Sequence, residues 1–65
     1  MTTYKIVDDF QVNGSRVLVL DRNYDPRINK LIIDGEEYKY LTNSVRSWII
    51  IKITKSFKGK TAVFT

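Results

Sequence analysis

Residues 47 to 54 constrain the fold of this chain most. They hold Trp48, Ile49, Ile50, Ile51 and Ile53, with Lys52 as the one charged side chain. Trp48 is the chain's only tryptophan. β-Branched and aromatic side chains fit a pleated, half-buried surface, so the stretch predicts a strand, drawn here from about Arg46 to Lys55. Side chains alternate across a strand, which puts Ile49, Ile51 and Ile53 on one face and Trp48, Ile50 and Lys52 on the other. The first face is core. The second stays open between core and a working surface.

The rest of the chain supplies partners for that strand. Tyr4 to Val12 predicts the first, with Tyr4, Ile6, Phe10 and Val12 on one face. Asp8 would fall on that apolar face at a real desolvation cost, so a bulge near Asp8 and Asp9 is expected to turn it outward. Asn13-Gly14 is a strong hairpin signal, and Arg16 to Arg22 returns as the second strand. Asn23 to Arg27, with Pro26 inside, predicts a loop. Lys30 to Ile33 is a short third strand, Asp34-Gly35 a second hairpin turn, and Glu36 to Leu41 a fourth strand.

Tyr38, Leu41, Val45 and Trp48 also carry helical spacing, and Asp34 with Glu37 has the form of a capping box. Thr42, Asn43 and Ser44 make a poor helix interior, so at most one helical turn is expected, around Asn43 to Ser47. Gly59 marks a turn within residues 57 to 60, and Thr61 to Phe64 closes the chain as a last strand.

Five or six short strands with evenly spaced turns predict one all-β domain over residues 1–65. The expected form is a small curled antiparallel meander forming a barrel, SH3-like or translation-factor-like. Without a helix to cover it, the sheet must curl to bury a face. Residues 17–20, 31–33 and 48–51 are apolar on both faces. That suggests corners where strands change layers, or an apolar patch left for a partner.

The run Phe10-x-Val12-x-Gly14-x-x-Val17 is similar to the opening of the second-domain β-barrel of translation GTPases of the elongation-factor-Tu type. The residues from Ile33 to Tyr38, and those from Phe57 to Lys60, resemble hairpins of that class. The resemblance covers about residues 6 to 64. Arg16 stands where that family has a second glycine, and the Gly-Asp before the central hairpin is absent. The resemblance implies a barrel. It implies no GTPase activity, because the family's nucleotide-binding domain is not in this sequence.

Composition narrows the function classes. With no His and no Cys, the commonest general base, the strongest nucleophile, the commonest zinc ligands and disulfides are all missing. Adjacent pairs such as Asp8-Asp9 and Glu36-Glu37 point to opposite faces of a strand and form no acid/base pair on their own. Asp21, Asn23 and Asp25 alternate like the start of a calcium loop, but Pro26-Arg27 follows where a glycine is needed. No enzyme activity, metal or cofactor is expected. No apolar run reaches the roughly 18 to 20 residues that span a bilayer, and the first residues lack a signal-peptide core. A cytoplasmic protein without a membrane partner is the expectation.

Net charge is +4, and all seven carboxylates lie within the first 37 residues. The candidate surface is therefore Trp48, Ile50 and Lys52, with Arg46, Tyr38, Tyr40, Lys55, Lys58 and Lys60 around them. Leu18 and Leu20 beside Arg16 and Arg22 form a second candidate. Such a mixed apolar and basic face suits a protein partner or a homodimer. A basic barrel binding single-stranded nucleic acid is the alternative, with aromatics stacking bases and cations following the backbone. A structural subunit of a phage or mobile-element particle is a third. Against all three stands a plain structural role, with Trp48 in the core and the tyrosines packing the barrel.

Overall fold

A computed structural model describes residues 2–25 and 30–65. Pro26 and Arg27, part of the loop expected after Arg22, lie outside the described residues.

The described chain is all-β. Its strands are β1 (Thr2–Val12), β2 (Ser15–Leu20), β3 (Leu31–Ile33), β4 (Glu36–Tyr38), β5 (Leu41–Thr42), β6 (Trp48–Ile51) and β7 (Thr61–Phe64). They form one antiparallel sheet in the order β4-β3-β7-β1-β2-β6-β5. The expected meander is therefore present, with seven strands rather than five or six. The extra strand arises because the expected run from Glu36 to Leu41 breaks at Lys39-Tyr40, and its two pieces join opposite edges of the sheet. The middle strand is β1. The Trp48 strand lies second from an edge and is shorter than expected.

Local chemistry explains the hairpins. Asp34 and Gly35 both adopt positive φ (53° and 79°), which the two-residue turn pairing Ile33 with Glu36 requires. Asn13 takes φ 54° in the turn that pairs Val12 with Ser15. Residues 44–47 form a turn closed by the Trp48 N–H donating to the Val45 carbonyl at 3.1 Å, with the Asn43 side chain accepting from the Val45 N–H. No helix forms there.

Strand β1 organises the sheet. Its first half pairs with β7 and its second half with β2. Between Ile6 and Asp8 the register slips, with Val7 as the extra residue. A one-residue slip turns every later side chain to the other face. Tyr4 and Ile6 thus point into the core, whereas Asp8, Phe10 and Val12 point out. The bulge frees Asp8 from burial as expected. It also moves Phe10 and Val12 off the face they were expected to share with Tyr4 and Ile6.

Both halves of the sheet bury side chains in one core. Tyr4, Ile6, Leu18, Leu20, Leu31, Ile33, Ile49, Ile51, Ala62 and Phe64 come from the strands, and Tyr24 and Phe57 from loops. The Tyr24 ring stacks on Phe64 at 5.7 Å. The sheet is therefore curled around its contents. Its hydrogen-bonded ring is not closed, since β4 and β5 end the order and no ladder joins them among the described residues. Only Lys39 and Tyr40 span that gap. The small all-β meander is therefore as expected, and closure into the expected barrel is not seen among the described residues.

Candidate functional site

The outer face of β1, β2, β6 and β5 carries an unbroken apolar row. Phe10 stands opposite Val17, Val17 opposite Ile50, and Ile50 opposite Leu41. Val17 is buried yet lies outside the core cluster, so its neighbours on this outer face cover it. Trp48 lies beside the row, opposite Val19, and its ring meets Phe10 edge-to-face at 5.3 Å. Val12 extends the patch along β1. Leu41 is 58% exposed and Phe10 38%. Sheets that face water on one side normally alternate to polar residues there. This one does not.

Two shallow grooves meet at Ile50. One, of about 400 Å³, is lined by Phe10, Val12, Val17, Trp48 and Ile50 with the polar groups of Asn13, Ser15 and Asn43. The other, of about 340 Å³, is lined by Lys39, Tyr40, Leu41, Ile50 and Lys52. Tyr40 belongs to both worlds: half-buried, it packs edge-on against Phe64 at 5.5 Å and also walls this groove.

The expected site residues separate on this frame. Trp48, Ile50, Lys52 and Tyr40 line the two grooves, and Arg46 is exposed in the turn just before Trp48. Tyr38 packs against Phe57 at 5.4 Å, on the core side, and its hydroxyl donates to Glu36. The Lys55 ammonium lies 5.7 Å from the Phe57 ring centre. Lys58 faces Asp8 at 3.9 Å and Lys60 faces Asp34 at 3.5 Å. These two cations are matched by carboxylates rather than gathered with Trp48. The second candidate surface is not one: Leu18 and Leu20 are buried in the core, because alternation turns them inward with Ile49.

Phe10, Val12, Val17, Lys39 and Leu41 are among the groove residues the sequence reading missed. Phe10 was hidden by the bulge, Leu41 by the break at Lys39-Tyr40. The apolar character of residues 17–20 on both faces was the available signal for Val17.

The pKa of Asp9 is shifted. Burial pushes it up, but hydrogen bonds from Ser56 and the Phe57 N–H and the charge of Arg16 outweigh this, so its pKa falls below the ordinary 3.8. Its oxygens accept from Arg16 Nη1 at 2.9 Å, Ser56 Oγ at 2.8 Å and the Phe57 N–H at 2.6 Å. Arg16 also donates to the Thr54 carbonyl. Together they pin residues 54–57 to the sheet and seat Phe57 in the core. Burial raises the pKa of Tyr24, Tyr38 and Tyr40 above 10. Among the described residues no three His, Cys, Asp or Glu side chains gather to hold a metal ion, and no helix is long and apolar enough to cross a membrane. Comparison with protein-family models, curated proteins and solved structures returns no match for this chain.

Proposed function

We propose that this chain is a non-enzymatic binding module of the cytoplasm whose outer β1–β2–β6–β5 face docks a protein partner. The row Phe10, Val17, Ile50 and Leu41 carries the reading. Four apolar side chains in register across four strands give the flat, apolar centre that protein interfaces use, with Trp48 as the aromatic anchor and Lys52 and Arg46 at the rim. The chemistry of the carboxylates supports the non-enzymatic part: Asp9 is held ionised and committed to three donors, the opposite of a base tuned toward neutral pH.

The face suits protein better than nucleic acid. The Trp48 ring meets Phe10 edge-to-face and the Tyr40 ring meets Phe64 in the same way, so both rings are partly committed within the fold. Lys58 and Lys60 stand against Asp8 and Asp34 instead of lining a phosphate track.

Site-specific photocrosslinking tests this. A benzophenone amino acid in place of Leu41 should give a discrete protein adduct in the cells that make the chain. The same group in place of Lys5, on the other half of the sheet, should not. An adduct of twice the chain's mass would identify the partner as a second copy. Failure of the Leu41 position to give any protein adduct, or an adduct sensitive to nuclease, would overturn the proposal.

A further inference from the structure

Strand β5 is an edge strand with an unusual rim. It pairs with β6 on one side only, and no other backbone hydrogen bond reaches Leu41 or Thr42 among the described residues. Exposed edges are templates for another strand, and proteins ordinarily blunt them. The opposite edge, β4, is blunted by exposed Glu36 and Glu37. On β5 both residues are exposed, Thr42 and Leu41, and Leu41 is the last member of the apolar row.

Charge around β5 is one-sided. The β5–β6 ladder ends at Leu41 opposite Ile50, and Lys39 and Lys52 follow just beyond it on the two chains. Both line the groove whose floor is Leu41 and Ile50. Two like charges lining one groove repel, and an anion between them relieves the repulsion. Among the described residues neither lysine has a carboxylate within 4 Å. Five of the chain's seven acids are engaged elsewhere: Asp8 with Lys58, Asp9 with Arg16, Asp21 with Arg22, Asp34 with Lys60 and Glu36 with Tyr38.

We infer that β5 accepts an extended acidic segment of a partner protein as an added strand. Backbone hydrogen bonds to the free edge supply affinity, as in other strand-addition complexes. An apolar residue of the segment lies opposite Leu41 and prolongs the row. Two residues away, on the same face by the period of a strand, a carboxylate meets Lys39 and Lys52. The segment is thus one in which apolar and acidic residues alternate. This inference rests on the protein-docking role of the outer face and specifies what docks there. A polyphosphate strand meets the two lysines equally well but gains nothing from Leu41, Ile50 or the backbone edge.

Fluorescence polarisation with defined probes decides the matter. The probes are a labelled peptide of alternating valine and glutamate, its valine–lysine twin, its twin N-methylated along one backbone edge, and a single-stranded oligothymidine. The intact chain should bind the valine–glutamate peptide and neither twin. The double variant Lys39→Ser, Lys52→Ser should bind it roughly tenfold more weakly, and Lys39→Glu, Lys52→Glu should prefer the valine–lysine peptide. Both lysines are exposed, and circular dichroism checks that the variants stay folded. No peptide binding, equal binding of both charged peptides, unimpaired binding of the N-methylated peptide, or displacement of the peptide by oligothymidine would each overturn the inference. A Leu41 crosslink of undiminished yield in the double serine variant would sink the addition of an acidic strand while leaving the docking face intact. Loss of every Leu41 adduct from the intact chain would remove both.

Discussion

Replacing Asp9 with Ala should destabilise the fold far more than a carboxylate on a β-strand ordinarily would. The Asp9 side chain is 6% exposed and that of Arg16 12%. Removing the carboxylate strips acceptors from Arg16 Nη1, Ser56 Oγ and the Phe57 N–H at once. Breaking one partner of a buried, hydrogen-bonded charge pair costs about 3 to 5 kcal/mol. Arg16 keeps some contact with water and its bond to the Thr54 carbonyl, so about 3 kcal/mol is expected, the low end of that range. A chain of 65 residues has a total stability of roughly 3 to 10 kcal/mol, so the variant loses a third of it or nearly all.

The assay is urea unfolding followed by Trp48 fluorescence, with Asp8→Ala as the control. Asp8 is exposed, lies 3.9 Å from Lys58 and accepts one exposed hydrogen bond from the Asp9 N–H at 2.9 Å, so its loss should cost at most about 1 kcal/mol. The pH dependence follows from the direction of the shift. The folded Asp9 has a pKa below 3.8, so the stability it contributes is fully present above that value. It is lost as pH falls through the folded pKa, when the carboxylate takes up its proton. The intact chain should therefore be more acid-sensitive than Asp9→Asn, which has no such proton to gain. Equal unfolding midpoints for Asp9→Ala and Asp8→Ala would refute the claim that Asp9 pins residues 54–57.

The two faces of β6 give a second contrast. Ile49→Ala should cost about 3 kcal/mol, because Ile49 is fully buried, and Ile50→Ala about 1 kcal/mol, since its outer face is only half-covered. Equal losses in the same urea assay would mean the outer face is packed as core. At high pH, Tyr24, Tyr38 and Tyr40 should ionise above the usual 10 in a spectrophotometric titration. Their folded pKa values are raised, so the unfolded chain releases its phenolic protons first and stability should fall as pH rises past 10. A flat stability profile from about pH 9 to 11 would contradict the buried positions of these rings.

Much of this fold was legible because its signals are local. Asn13-Gly14 and Asp34-Gly35 mark turns through their own backbone preferences. Ile49, Ile51 and Ile53 declare a core face by alternation, and Thr61 to Phe64 lies where its pattern put it. What escaped depends on contacts far apart in sequence. The slip at Val7 reverses the facing of every later residue in β1, and the cost of burying Asp8 signalled a bulge without fixing what became of Phe10. The hold of Asp9 on Ser56 and Phe57 joins residues 47 and 48 positions apart, and no spacing rule reports it. The break at Lys39-Tyr40 exists because the two edges of a curled sheet meet there. It exposes Leu41 and brings Lys39 into one groove with Lys52, features that appear only once the sheet is assembled.

The central claim is that Trp48 belongs to an outward-facing apolar surface and not to the core. As the only tryptophan, it can be read directly by acrylamide quenching of the isolated monomeric chain. Half-buried against Phe10 and lining an open groove, it should be quenched substantially in the native state, with only a modest further gain on unfolding. A blue-shifted emission that acrylamide leaves untouched until the chain unfolds would place Trp48 inside and contradict the account.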